Sequence, residues 1–113
     1  MSDKNPDLVA LQKQLVATVD ALSRAQEAAQ SADEVRAIGR EIAEVTHRVT
    51  MVGQLVFKQS TDKIARGVEA VQTAKQAVDD AIRSIQKLTA FISTITKFLA
   101  LVDKVIDTAK LVA

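Results

Sequence analysis

Glu44-Val45-Thr46-His47 is the stretch of this chain best suited to chemistry. Its E-x-x-H spacing sets a carboxylate and an imidazole one helical turn apart, the half-motif with which di-iron carboxylate bundles grip a metal. His47 is the only histidine, so a two-metal centre would need a second copy of the chain. Metal sites in bundles also require ligands that project inward. Here Ile42 and Val45 mark the apolar stripe, which turns Glu44 and His47 to the outer face. The pair is read as a solvated face continuing into Arg48. Nucleophilic catalysis fares no better: hydroxyls are plentiful, but His47 alone has no loop to place it as a base. No catalytic residue, metal or cofactor is expected.

The basic residues Arg36, Arg40, Lys58, Lys63 and Arg66 gather loosely, yet acids sit among them and no aromatic is interleaved. That pattern does not make a nucleic-acid surface. Fifteen basic against fourteen acidic side chains leave a net charge of +1, too small to steer a polyanion from a distance. Apolar residues make up 48% of the chain, but only three are Phe and none is Trp or Tyr. Aromatic anchors are the usual lining of ligand pockets, and their scarcity argues against a small-molecule enzyme. With no cysteine there is no disulfide frame and no thiolate ligand. Three glycines and one proline leave little material for loops, where functional sites concentrate.

The elements that must carry these residues are helices. Ile64, Val71, Val78, Ile85, Ile92, Leu99, Ile106 and Ala113 recur every seventh position, and Gly67, Ala74, Ala81, Leu88, Ile95, Val102 and Ala109 follow each by three. Apolar residues held at this period specify helices whose seam another helix must cover. A second heptad runs through Val35, Ile38, Ile42, Val45, Val49, Val52 and Val56, and Leu8, Leu11, Leu15, Val19 and Leu22 mark a third face. Asn5-Pro6 opens the first helix with a cap and a proline at the position where its missing N–H costs nothing. Lys58-Gln59-Ser60-Thr61-Asp62 is the strongest turn. Ser31-Ala32-Asp33-Glu34 has the form of a capping box, which starts helices.

These signals predict an all-α single domain spanning 1–113. The favoured arrangement is a long antiparallel, coiled-coil-like helical hairpin, with arms at about 6–57 and 62–112 joined by a turn at about 58–61. Each arm would be about 75 Å long at 1.5 Å per residue. Unbroken heptad phase from Ile64 to Ala113 supports it, as does the fall of Ala74, Ala77 and Ala81 opposite Val45, Ile42 and Ile38. The alternative is a compact up-down four-helix bundle, with further breaks near Ser31 and near Thr89 or Ser93.

Around Leu88–Ile106 the apolar stripe is wider than one partner helix can cover. In a hairpin this surplus predicts a homo-oligomer, or a helical partner protein, held through Phe91, Ile95, Phe98, Leu99, Leu101, Val102 and Val105. In a compact bundle the same residues are core. The uncharged run containing Val49, Met51, Val52, Leu55 and Phe57 is the segment suited to a membrane or tip contact, although no aromatic belt supports insertion. Met1–Pro6 precedes no apolar segment and is not read as a signal peptide, so the expected location is cytoplasmic, with non-classical secretion as the alternative. The function expected is that of a non-enzymatic structural or interaction protein. A membrane-active or secretion-associated hairpin is the alternative.

Overall fold

A computed structural model describes residues 3–112, and among them every regular element is helical: α1 Pro6–Glu27, α2 Ala32–Gly53, α3 Asp62–Arg83 and α4 Leu88–Lys110. The all-α expectation holds. Of the two arrangements, the compact bundle is the one adopted. The chain measures 48 × 22 × 17 Å, shorter than a continuous 75 Å arm would require.

Both breaks have identifiable causes. At the first, the capping box does its work. Ser31 Oγ accepts from the Glu34 backbone N–H at 3.1 Å, and Glu34 Oε2 accepts from the Gln30 N–H at 2.7 Å. Two amide donors at the start of α2 are thereby satisfied, which makes a new helix start as good locally as a continued one. The slip of heptad phase between Leu22 and Val35, which a continuous arm would have absorbed by overwinding, is this break. The second break falls at Ser84–Lys87, ahead of Thr89 and Ser93. Ser84 and Lys87 are both extended, and no side chain caps α4. Nothing local demands a turn here. What favours it is burial: folding α4 back covers both flanks of its wide stripe, and each large apolar side chain removed from water contributes about 1.5–3 kcal/mol. Heptad phase survives the turn because Val78 and Ile92 face one core from either side of it, with Ile85 packed between them at its edge.

The remaining starts are conventional. Asn5 Oδ1 accepts from the N–H groups of Asp7 and Leu8 at 2.9 and 3.3 Å, with Pro6 at the first helical position. Thr61 Oγ1 accepts from Ile64 N–H at 3.2 Å. Helix α2 ends at Gly53, short of the expected 57. The link to α3 still contributes to the core, because Leu55 and Val56 turn inward while Phe57 turns out.

Successive helices run in opposite directions, but the packing is not a simple up-down ring. α1 lies against α2 and α3, and α4 against α3 and α2, so α1 and α4 are diagonal, as are α2 and α3. The link at 54–61 therefore crosses a diagonal, and the α1–α3 and α2–α4 neighbours are parallel. This corrects the expected pairing of small residues. Ala74 and Ala77 share a cleft with Phe98 and Leu101 of α4, and Ala81 shares one with Phe91, instead of meeting Val45, Ile42 and Ile38. One core runs through all four helices, from Leu8, Leu15 and Leu22 through Ile38, Val45, Ile64, Val71 and Val78 to Ile95, Phe98, Val102 and Ile106. Gly67 lets α3 and α4 approach closely, since a Cβ there would stand 2.8 Å from Val105 Cγ2.

Candidate functional site

Glu44 and His47 are both exposed on α2, as their place beside the stripe implies. Glu44 is engaged by Arg48, whose Nη1 donates to Glu44 Oε2 at 2.6 Å. Among the described residues no group of three or more histidine or acidic side chains is arranged to hold a metal ion.

The α4 residues expected to carry an oligomer are inside the chain's own core. Phe91, Ile95, Phe98, Leu99, Val102 and Val105 are buried, and Leu101 is partly buried beside α3. The structure thus brings them together against α2 and α3 and leaves none of the six as surface. Of the residues expected at a tip, Val52 and Leu55 are buried and Val49 and Met51 pack against the core; Phe57 alone is well exposed, at 59%.

Phe57 lies at the end of the bundle where α1 and α3 start and α2 and α4 finish. Asn5 and Lys58 lace this end together. The Asn5 backbone N–H donates to Val56 O at 2.6 Å, and its Nδ2 donates to Lys58 O at 3.2 Å. Lys58 Nζ then donates to Val112 O at 2.6 Å, placing a cation where the α4 carbonyls carry negative potential. Leu111, 88% exposed, is adjacent to that clip. The turn presenting Phe57 is therefore held from both sides.

The second polar cluster fills the groove between α2 and α4. Arg48 Nε and Nη2 donate to Asp103 Oδ1 and Oδ2, each at 3.0 Å, a two-pronged bridge across the parallel pair. The hydrogen bonds to Asp103 hold the guanidinium still more firmly protonated than usual, and Glu44 adds to this against the opposing effect of burial. Glu41 sits in the same groove, only 6% exposed. Burial, reinforced by the nearby Glu44 charge, pushes its carboxyl above the ordinary glutamate range, against the pull of Arg40 and Arg48.

Two of these features escaped the sequence reading. The Asn5–Lys58–Val112 lacing joins positions far apart in the chain, and no spacing rule connects them. Glu41 had a visible signal. It stands between Ile38 and Val45 at helical spacing, so a charge on the seam could have been suspected. The seam passes through Glu41 and leaves Ile42 only partly buried, because α2 is rolled toward Glu41.

Comparison of the chain with protein-family models, curated proteins and solved structures finds no match.

Proposed function

We propose that this chain is a non-enzymatic interaction module, a small helical bundle that associates with a second copy of itself through the end that displays Phe57. The observation supporting this reading is the exposure of that side chain. The other two phenylalanines are buried, whereas Phe57 projects at 59% exposure from a turn held by Asn5 and Lys58. An aromatic side chain on a braced turn loses little entropy on docking, the property expected of an interface anchor. Leu111, next to the Val112 carbonyl that Lys58 holds, is also exposed. The α4 surface expected to associate in a hairpin is used up in the core, which moves the proposed contact to this end.

The test is molar mass by light scattering across a wide concentration range. Wild type is expected to move from monomer to dimer or beyond as concentration rises. Phe57→Ser with Leu111→Ser should stay monomeric with an unchanged helical spectrum. A wild type that remains monomeric to about millimolar concentration, near the weak limit of specific association, overturns the reading.

Phe57 also supports a second reading, contact with a lipid surface, because Lys58 and Lys63 flank it as cations flank an interfacial apolar group. No helix among the described residues is long and apolar enough to cross a membrane, so such contact would be peripheral. Co-sedimentation with anionic vesicles by wild type but not Phe57→Ser would support it, and no co-sedimentation would remove it.

A further inference from the structure

The α2–α4 edge contains a carboxylate where a core residue belongs. Glu41 occupies the seam row of α2 with Ile38, Val45 and Val52, yet among the described residues no hydrogen bond or ion pair reaches its carboxylate. Among the described residues the one sealed side-chain oxygen or nitrogen without a partner is Gln14 Oε1 in α1, so the Glu41 oxygens are not fully sealed from solvent. Facing Glu41 are Arg40, Glu44 and Arg48 of its own helix and Asp103 of α4. Arg48 is committed to Asp103 and Glu44, and Arg40 is exposed. From α1, the side chains that bond to α2 are those of Gln12 and Gln26, at Val49 and Val35, and the charges that act on the Glu41 carboxyl are those of Glu44, Arg40 and Arg48 of its own helix. No cation is therefore dedicated to Glu41, while the Glu44 carboxylate lies one turn away.

We propose that the α2–α4 edge is a proton-responsive seam, held slack by ionised Glu41 and tightened when Glu41 takes up one proton. A carboxylate confined against Leu99 and Ala100 without a partner is unfavourable as an anion and acceptable as a neutral acid. The folded chain thus binds the proton more tightly than the unfolded chain does. Its stabilising effect is fully present below the unfolded glutamate pKa of about 4.3 and is lost as pH rises through the higher folded value. The α1–α2 and α3–α4 hairpins do not depend on this proton, so the response is local to the edge where one hairpin docks on the other.

Two measurements on the full chain test this. In pH-dependent melting, Glu41→Gln should melt above wild type at pH 7.5, and the gap should close as pH falls toward 4. A gap that is absent, reversed or constant with pH overturns the proposal. In hydrogen exchange at pH 7.5, amides of the facing segments of α2 and α4 should exchange more slowly in Glu41→Gln. The expected factor is about tenfold for each unit by which burial has raised the pKa. Unchanged rates there, or equal slowing throughout α1 and α3, also overturn it. Carbon NMR titration of the Glu41 carboxyl in wild type keeps the idea falsifiable if the variant folds poorly. A midpoint above the ordinary glutamate range is expected, and one within that range refutes the seam.

Discussion

Replacing Phe98 with alanine separates a packed core from an intermolecular interface. Phe98 is 1% exposed and lies beside Ala74, Ala77 and Leu101 between α3 and α4. Truncating a phenylalanine in such a setting typically costs about 3–5 kcal/mol, combining lost transfer energy with the cavity left behind. A domain of this length is stable by about 5–15 kcal/mol, so the variant should remain folded but clearly weakened. With a urea dependence of about 2 kcal/mol per molar, the middle of the usual range, the midpoint should fall by about 1.5–2.5 M. Urea titration followed by helical circular dichroism measures the shift, and light scattering on the same samples records mass. The companion Leu101→Ala, only partly buried, should cost less. Placing charges at both sites, Phe98→Asp with Leu101→Asp, should abolish the helical signal, because an unpaired buried charge cannot be accommodated there. If Phe98→Ala instead leaves the midpoint within about 0.3 M of wild type while lowering the mass, Phe98 packs between chains and the compact bundle is refuted.

Other substitutions probe the contacts that position the two clusters. Gly67→Ala should destabilise by about 1–3 kcal/mol in thermal melts, because the added methyl meets Val105 Cγ2 and overpacking outweighs the gain in helix propensity. Gly39→Ala meets only the end of the flexible Gln26 side chain, at Nε2, so the same assay should find it neutral or stabilising by up to about 1 kcal/mol. Asn5→Ala removes both a helix cap and a tie to the 54–61 link, and should cost about 1–2 kcal/mol by urea titration, with faster amide exchange at the Phe57 end. Arg48→Met keeps the aliphatic stem but breaks the bridge to Asp103. Given that Asp103 is 46% exposed, the loss should be about 1 kcal/mol and shrink at high salt.

Helix identity and the core stripes were legible in the sequence because the apolar period is direct evidence for both. Leu8, Leu15, Ile64, Val71 and Val78 are buried as their spacing requires. The Ser31–Glu34 box is legible too, but the unbroken heptad phase from Ile64 to Ala113 and the fall of small residues opposite large ones favour continuous arms over it. The break at Ser84–Lys87 is legible only as the alternative near Thr89 or Ser93, a few residues late. It has no cap and no breaker, and the turn is imposed by what Phe91, Ile95 and Phe98 gain on folding back. Such a tertiary cause leaves no mark in the residues that turn. The same cause explains the candidate site. A wide apolar stripe marks a surface needing cover, but the width alone does not distinguish cover by the same chain from cover by a second one. Here α2 supplies the cover, and of the five tip residues Phe57 alone stays well exposed.

The diagonal crossing at 54–61 has a consequence for how the chain reaches this structure. Each half closes its own hairpin through a loop of a few residues, an early and entropically inexpensive event. Contacts between the halves all join parallel helices, α1 with α3 and α2 with α4, and each spans a long stretch of chain. Folding should therefore proceed as two hairpins that form separately and then dock. The crossing link keeps them at high effective concentration without itself dictating which faces meet. Register at that docking step falls to the few polar interactions that reach the second hairpin: the Lys58 bond to Val112 at one end, and the Arg48–Asp103 bridge along the groove. Variants that weaken these should slow assembly of the bundle more than they slow helix formation, so their effects would show in refolding rates before they show in the melting temperature.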